Sequence, residues 1–272
     1  MNEQRMNEQE NKELALQEEK ALSSFLEQGA GTGFENVDSN DLQPNFLRIC
    51  QAGHHFTEEA NPSYKPGFKL GDFFDTSSNI NMSNTVEIVV LGYFTNYCEW
   101  GPDDLGDFKG SHSVEDFNRA KKSLTQDKKN PSTYWNQEGN KLVETKNFFV
   151  YIPAYPELGI LLFNLKSTGI GHSKKWLTNM SYVKHNGATA PMYASLWRLK
   201  TMYVSNDQNS WYAIGDKKNL NVERVGFVPS EHQKAVLEYR QTVSEWINSG
   251  TKIKYSEDVE ESFDGSDLEE SI

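Results

Sequence analysis

One interior segment of the sequence combines positive charge with aromatic side chains and excludes negative charge. Residues 158–206 contain no Asp or Glu, although the whole chain has 39 of them among 272 residues. Lysine and arginine bind phosphates, and aromatic faces stack on unpaired bases, so the segment predicts a site for single-stranded nucleic acid. The candidate contacts are Lys166, Lys174, Lys175, Trp176, Tyr182, Lys184, Tyr193, Trp197, Arg198, Lys200 and Tyr203.

The aromatic residues of this segment also fit a hydrophobic core. Trp176 shares a helical face with Met180 and Val183, which is typical of core packing, and Lys174 and Tyr182 then point outward. On a regular strand, Tyr193, Trp197 and Tyr203 would share one face, while Arg198 and Lys200 would take the other. Both faces contact one ligand only if a bulge intervenes.

The two ends of the chain carry its surplus negative charge. Residues 1–30 have a net charge of −4 and residues 256–272 have −8, which together equal the formal −12 of the chain. The region between them is neutral overall, so the acidic pI does not count against nucleic-acid binding. The C-terminal tail either aids solubility or binds basic partners and competes with DNA. Its candidate partner-binding residues are Asp258, Glu260, Glu261, Phe263, Asp264, Asp267, Leu268, Glu269, Glu270 and Ile272.

Catalytic and metal-binding patterns are weak, and we expect no catalytic residue, metal or cofactor. His54 and His55 are adjacent but have no third ligand at metal spacing. No CxxC, HExxH or phosphate-binding glycine loop is present. One loose pattern resembles a metal-dependent nuclease of the PD-(D/E)xK type: Asp103 after Pro102, then Glu144 and Lys146 on a predicted strand. We keep this nuclease as an alternative.

Nothing in the sequence indicates export or a membrane. Cys50 and Cys98 do not form a disulfide framework, and the polar start of the chain does not resemble a signal peptide. No apolar run approaches the length needed to cross a bilayer. We therefore expect a cytoplasmic protein with no membrane partner.

The elements that position the candidate contacts are short strands separated by turn residues. We predict strands, or for the first a helical turn, at 46–50, 86–94, 147–152, 159–165, 196–204, 210–214 and 222–228. Residues 86–94 are apolar enough to be buried on both faces. This pattern favours an antiparallel barrel, and an elaborated five-stranded OB-type barrel with a few flanking helices is the predicted β-rich fold.

Helices are expected outside this barrel. An amphipathic helix at 9–28 forms an N-terminal arm, residues 1–30, which leaves self-association open. A polar insertion at 101–140 contains a helix capped by Ser113. A further helix at 174–184 begins after Ser173. The last, 231–248, has a capping box of Ser230 and Gln233 and an apolar stripe of Val236, Tyr239, Val243 and Ile247. It closes the domain of residues 31–250, before a disordered acidic tail at 251–272.

Several short motifs make the sequence resemble the single-stranded DNA-binding proteins of tailed bacteriophages. They are residues 31–37 (GTGFENV), 41–51 (DLQPNFLRICQ), 66–73 (PGFKLGDF), 99–100 and 165–168. The resemblance implies an OB-type fold and non-sequence-specific binding of single strands in the infected host, without catalysis. It also implies that the acidic tail recruits replication and recombination enzymes such as a polymerase, helicase or primase.

The tail departs from that resemblance in one respect. Related tails finish in an aromatic residue, whereas this one finishes in Ile272 and has Phe263 as its one aromatic residue. The departure affects the identity of the tail's partner more than its general role. A virion or scaffold protein, with the aromatic segment as core or protein interface, is the remaining alternative.

Overall fold

A curled antiparallel β-sheet dominates the computed structural model, which describes residues 45–52, 54–102, 108–206 and 209–248. The strands are β1 Leu47–Ile49, β2 Phe73–Asp75, β3 Thr85–Trp100, β4 Phe108–Ser113, β5 Thr125–Gln126, β6 Thr133–Trp135, β7 Lys141–Tyr151, β8 Leu161–Lys166, β9 Lys184–His185, β10 Ala188–Thr189, β11 Ser195–Lys200, β12 Met202–Ser205, β13 Ser210–Ala213 and β14 Val222–Phe227. The helices of the described part are α1 Val114–Ala120, α2 Gly169–Ser181 and α3 Ser230–Asn248, with 3₁₀ turns at His55–Thr57, Lys121–Ser123, Pro156–Leu158 and Met192–Ala194.

The main sheet follows the order β14-β11-β3-β7-β6-β5, with β4 added to β3 and β8 added to β7. The long strand β3 lies at the centre of this sheet. Its first half pairs with β11, its second half pairs with β4, and both halves pair with β7. The β3–β7 register shifts between Val90 and Gly92, and such a bulge increases the local bend and twist. The sheet curls into a half-barrel, which confirms the predicted β-rich antiparallel class.

Two hydrophobic layers cover the two faces of this sheet. Along β3, Ile88 and Val90 point into one layer, while Val89 and Leu91 point into the other. Helix α2 closes the first layer with Trp176 and Met180, and helix α3 closes the second with Val236 and Val243. This stretch of β3 is therefore buried on both faces, as predicted, and for that reason its apolar residues do not alternate with polar ones.

The helices with strong local signals lie where the sequence places them. The N–H of Asp116 donates to Ser113 Oγ at 3.0 Å, so Ser113 caps α1. The apolar stripe of α3 packs on the sheet as expected, with Val236 and Val243 buried. The capping box of α3 does not form, however. Ser230 Oγ donates to the Glu231 carboxylate instead.

Two predicted boundaries in the acid-free segment are wrong. Helix α2 begins at Gly169 rather than after Ser173, because Ser173 lies inside the helix, fully buried, with its hydroxyl donating to Ile170 O at 2.8 Å. The predicted strand 196–204 is two strands in different sheets. It breaks at Thr201, whose hydroxyl donates to Gly71 O at 2.6 Å.

Several expectations concern residues outside the described part of the chain. These are the helix at 9–28, the motif at 31–37, Asp103 and the acidic tail at 251–272. None of the described helices is long and apolar enough to span a membrane.

Candidate nucleic-acid interface

The two tryptophans proposed to stack bases are buried in the core. Trp176 is fully buried and Trp197 is 2% exposed. The Trp176 ring stacks on Phe148 with centroids 4.7 Å apart and meets the edge of Trp197 at 6.3 Å. The stacking role predicted for these two residues is therefore wrong, because neither ring has a face open to a base.

Tyr193 also differs from its prediction. It lies in the 3₁₀ turn before β11 and packs against the layer beneath α3, on the other side of the sheet from Trp197. The two aromatic residues do not share a face, as the regular-strand interpretation expected.

Arg198 is engaged by two carboxylates rather than free for phosphate. It stands opposite Glu87 of β3 and Glu223 of β14 in the strand register. Its Nη2 donates to Glu87 at 2.6 Å and its Nη1 donates to Glu223. The hydrogen bonds that Arg198 donates to these carboxylates, to Glu87 first, raise the pKa of Arg198 above its ordinary value. A phosphate would have to displace both partners, so a contact with DNA is disfavoured here.

Helix α2 presents exposed lysines beside a second pair of lysines from a distant loop. Lys174 and Lys175 are exposed on α2. Lys175 Nζ donates to the carbonyl of Lys218 at 3.3 Å, which brings exposed Lys217 and Lys218 alongside the helix. This loop lies outside the acid-free segment, so composition alone did not reveal it.

The lysine loop is held in a fixed shape by Asp216 and His172. The Asp216 carboxylate accepts the N–H groups of Asn219 and Lys218 at 2.6 and 2.7 Å, and these bonds lower its pKa. Buried His172 of α2 donates from Nε2 to the Asp216 carbonyl at 2.9 Å. The loop is therefore joined to the helix by side-chain hydrogen bonds, which keep Lys217 and Lys218 beside α2.

The other end of α2 leads into an exposed aromatic residue and a short hairpin. Tyr182 follows the helix and is 73% exposed. The β9–β10 hairpin turns through Asn186 and Gly187, both at positive φ, which is the two-residue turn that suits twisted strands. Lys184 Nζ donates to Thr189 Oγ1 at 2.6 Å across this hairpin.

These residues form one surface, which we call the basic strip: Lys174, Lys175, Tyr182, Lys184, Lys217 and Lys218. Within the described part of the chain, none of its five lysines forms an ion pair with a carboxylate, in contrast to Arg198. An exposed ammonium group without a protein counter-ion is available to a phosphate.

The remaining candidates are not part of this strip. Lys166, on β8, is half-buried and its ammonium lies 5.3 Å from the Trp100 ring centroid. Lys200 is exposed at the end of β11. Tyr203 is 58% exposed on β12 and meets Tyr212 edge-to-face at 5.6 Å. The ten tail candidates from Asp258 to Ile272 are outside the described residues.

Comparison with known proteins identifies the family of the chain. A family model described as Pam3 phage gp34-like protein matches residues 16–252. The chain belongs to the Pam3 phage gp34-like family. No curated protein and no solved structure matches it. The family description names a phage, which confirms the phage origin that the motifs implied. It names no activity.

The residues behind the enzyme alternatives of this gp34-like protein have local partners. Glu144 and Lys146 form an ion pair at 2.6 Å on β7, and Lys146 Nζ also donates to Thr95 Oγ1. His54 accepts the N–H of Gln51 on Nδ1 at 2.8 Å and stacks on Phe56. Among the described residues there is no group of three His, Cys, Asp or Glu that could hold a metal ion.

Proposed function

We propose that this phage protein binds single-stranded DNA without sequence specificity and coats it during phage replication and recombination. The observation that carries this proposal is the basic strip, where five exposed lysines have no ion-pair partner within the described residues and lie beside an exposed tyrosine. Phosphates would lie on the lysines, and a base would stack on Tyr182. Such contacts carry no sequence information, because every nucleotide offers a phosphate and a π-face.

The strip supports electrostatic binding in a protein whose global charge is negative. The formal charge of −12 comes from the two ends, so the region between them does not repel DNA as a whole. Each lysine that neutralises a phosphate releases a counterion, and affinity then falls steeply as salt rises. The acidic tail, in this proposal, recruits replication enzymes and competes with DNA for the strip.

Replacing two lysines of the strip tests this proposal against a matched control. Lys174→Gln/Lys175→Gln should weaken binding of a labelled oligothymidine, measured by fluorescence anisotropy. If each lysine neutralises one phosphate, the slope of log affinity against log salt should fall by about 1.4. Lys128→Gln/Lys129→Gln removes the same charge from two adjacent exposed lysines of the insertion and should leave binding close to wild type.

Two outcomes would contradict the proposal. Equal losses in the two double variants would show that binding follows net charge rather than this surface. Absence of any binding to oligothymidine by the wild-type protein at low salt would remove the function itself. Intact DNA after incubation with Mg²⁺ or Mn²⁺ is expected, whereas cleavage would favour the nuclease alternative.

A virion or scaffold protein is the second candidate, and burial of the tryptophans favours it. With Trp176 and Trp197 in the core, part of the aromatic density of the segment serves packing rather than binding. Helix α3 also exposes apolar surface, with Leu237 at 56% and Trp246 at 38%. A virion protein should be found by mass spectrometry in purified particles at a fixed stoichiometry. A replication protein should be found in infected-cell extracts and not in particles.

A further inference from the structure

A β-bulge in β14 brings two side chains to the same face of the sheet. Leu196 pairs with Gly226 and the next residue, Trp197, pairs with Arg224, so Val225 is the extra residue. In a regular strand, residues three apart point to opposite faces. The bulge cancels that alternation, so that Arg224 and Phe227 point the same way.

The two side chains form a fixed cation–ring pair. The Arg224 guanidinium carbon lies 4.3 Å from the Phe227 ring centroid. Arg224 Nε donates to Ser195 Oγ at 3.1 Å, which limits the orientation of the guanidinium plane. The His185 ring, from the β9–β10 hairpin, meets Phe227 edge-on with centroids 5.5 Å apart. We call Arg224, Phe227 and His185 the stacking corner.

The stacking corner is open to solvent and cationic. Phe227 is 46% exposed, even though the His185 ring contacts it. Arg224 forms no ion pair with any carboxylate of the described residues. Its sequence neighbour Glu223 pairs with Arg198 instead. An exposed ring held beside an unneutralised guanidinium suits a flat, anionic ligand better than an apolar peptide.

The corner and the basic strip meet at the β9–β10 hairpin. Lys184 of the strip and His185 of the corner are consecutive residues of the same hairpin. Consecutive side chains of a strand point to opposite faces, so a strand of nucleic acid that contacts both residues crosses the edge of this hairpin. One nucleic-acid strand supplies both the phosphates that suit the strip and the unpaired base that suits the corner.

We propose that the stacking corner binds an unpaired base, which stacks on the Arg224–Phe227 pair while its neighbouring phosphates lie on the basic strip. This inference rests on the proposed function of the strip. It moves the base-stacking role from the buried Trp176 and Trp197 to residues that composition did not single out. Phe227 lies beyond the acid-free segment, and only the hairpin contact joins it to that segment.

Phe227→Leu tests the inference, because leucine keeps an apolar side chain and removes the π-face. Affinity for oligothymidine should fall between about five-fold and 150-fold, the range found for loss of one stacked base. Phe227→Trp should retain affinity, and its added fluorescence should be quenched when oligothymidine binds. Val225→Ala, a truncation of a 43% exposed side chain on the same strand, should bind like wild type.

The outcomes separate this inference from the proposed function. If Phe227→Leu binds like wild type and the added tryptophan is not quenched, the corner is not a base site. If Lys174→Gln/Lys175→Gln still weakens binding in that case, the function of the strip stands. If Phe227→Leu loses affinity but Val225→Ala loses as much, the effect reflects the fold of β14 and the inference is wrong. Urea unfolding of each variant checks that it is folded.

Discussion

At the level of single residues, Trp176 shows how a side chain in a cationic segment can still belong to the core. Its ring stacks on Phe148 and meets Trp197, and none of its surface is exposed. Its indole N–H has no hydrogen-bond acceptor among the described residues. The residue therefore stabilises the core by packing, while burial of its unpaired N–H destabilises the folded state.

Truncation of Trp176 should destabilise the fold and leave the binding surface in place. Trp176→Ala should lower the free energy of unfolding by about 3–5 kcal/mol, because it opens a large cavity. Trp176→Phe should lower the free energy of unfolding by less, because phenylalanine leaves a smaller cavity and removes the unsatisfied N–H. This variant should bind oligothymidine like wild type. Urea unfolding and anisotropy measure the two effects. A folded Trp176→Phe protein with much weaker DNA binding would contradict the core assignment.

Asp75 should make stability depend on pH at the acidic end. Burial alone would raise its pKa, but hydrogen bonds from the N–H groups of Ser78 and Ile80, both 2.7 Å, outweigh it and hold the pKa below its ordinary value. A lowered folded-state pKa stabilises the protein at pH above the unfolded value of 3.8, and this contribution is lost as pH falls through the folded-state pKa.

Asp75→Asn should therefore cost about 1–3 kcal/mol at neutral pH, and this difference from wild type should shrink below about pH 4. Urea unfolding across this range measures it. Glu59→Gln, which changes an exposed carboxylate, is the control and should show little difference at any pH. A constant difference between Asp75→Asn and wild type across the range would show that the carboxylate charge is not what stabilises the turn.

At the level of helices and strands, the close approach of α3 to β3 depends on a glycine. A Cβ atom on Gly92 would lie 2.6 Å from Val243 Cγ1 and 3.2 Å from Ile247 Cδ1. Gly92 also follows the register shift between β3 and β7. The helix packs directly on the backbone of the strand at this point, so the space for α3 is set by a residue that has no side chain.

Gly92→Ala should destabilise the protein by about 1–3 kcal/mol through overpacking. Val243→Ala added to it should recover part of the loss, because the smaller side chain leaves room for the new methyl group. Gly226→Ala, on β14, is the matched control, since nothing lies within 4 Å of a Cβ there. Thermal unfolding of these variants, and of Val243→Ala alone, measures the effects. Strict additivity of Gly92→Ala and Val243→Ala would contradict the contact.

Local signals predicted some elements well and others poorly. Helix α1 was predictable because its cap is local: Ser113 and Asp116 are three residues apart, and the N–H of Asp116 donates to Ser113 Oγ at 3.0 Å. The start of α2 was not, because Gly169 and Gly171 disfavour a helix locally, whereas the burial of Ile170 and Ser173 against the sheet favours it. The break at Thr201 depends on Gly71, which is distant in sequence.

For the molecule as a whole, the acidic tail should compete with DNA for the basic strip. The tail from residue 256 onward carries a formal charge of −8 and no base. Deletion of residues 256–272 should tighten oligothymidine binding at low salt. The gain should disappear near 1 M salt, where the screening length is about 3 Å.

A neutral tail of the same length separates charge from bulk. Replacing the eight acids of the tail by Gln and Asn should tighten binding as much as the deletion does. Anisotropy titrations at two salt concentrations measure both variants. A truncated protein that binds no more tightly than wild type would show that the tail does not occupy the strip.

Composition and local pattern were enough to predict the β-rich antiparallel class, the segregation of charge and the apolar stripe of α3. These features depend on periodicity and on residues close in sequence. The match to a phage protein family likewise agrees with the phage origin that short, local motifs implied. None of these signals contains information about which side chains meet across the sheet.

The proposed binding surface depends on tertiary contacts. Strand register placed Arg198 between Glu87 and Glu223, and the two-sided sheet buried Trp197. A loop contact added Lys218 to the strip, and a bulge turned Phe227 toward the hairpin. Each of these outcomes joins residues that are far apart in the chain. The same lysine or aromatic ring is a ligand contact or a packing residue according to what the fold brings next to it.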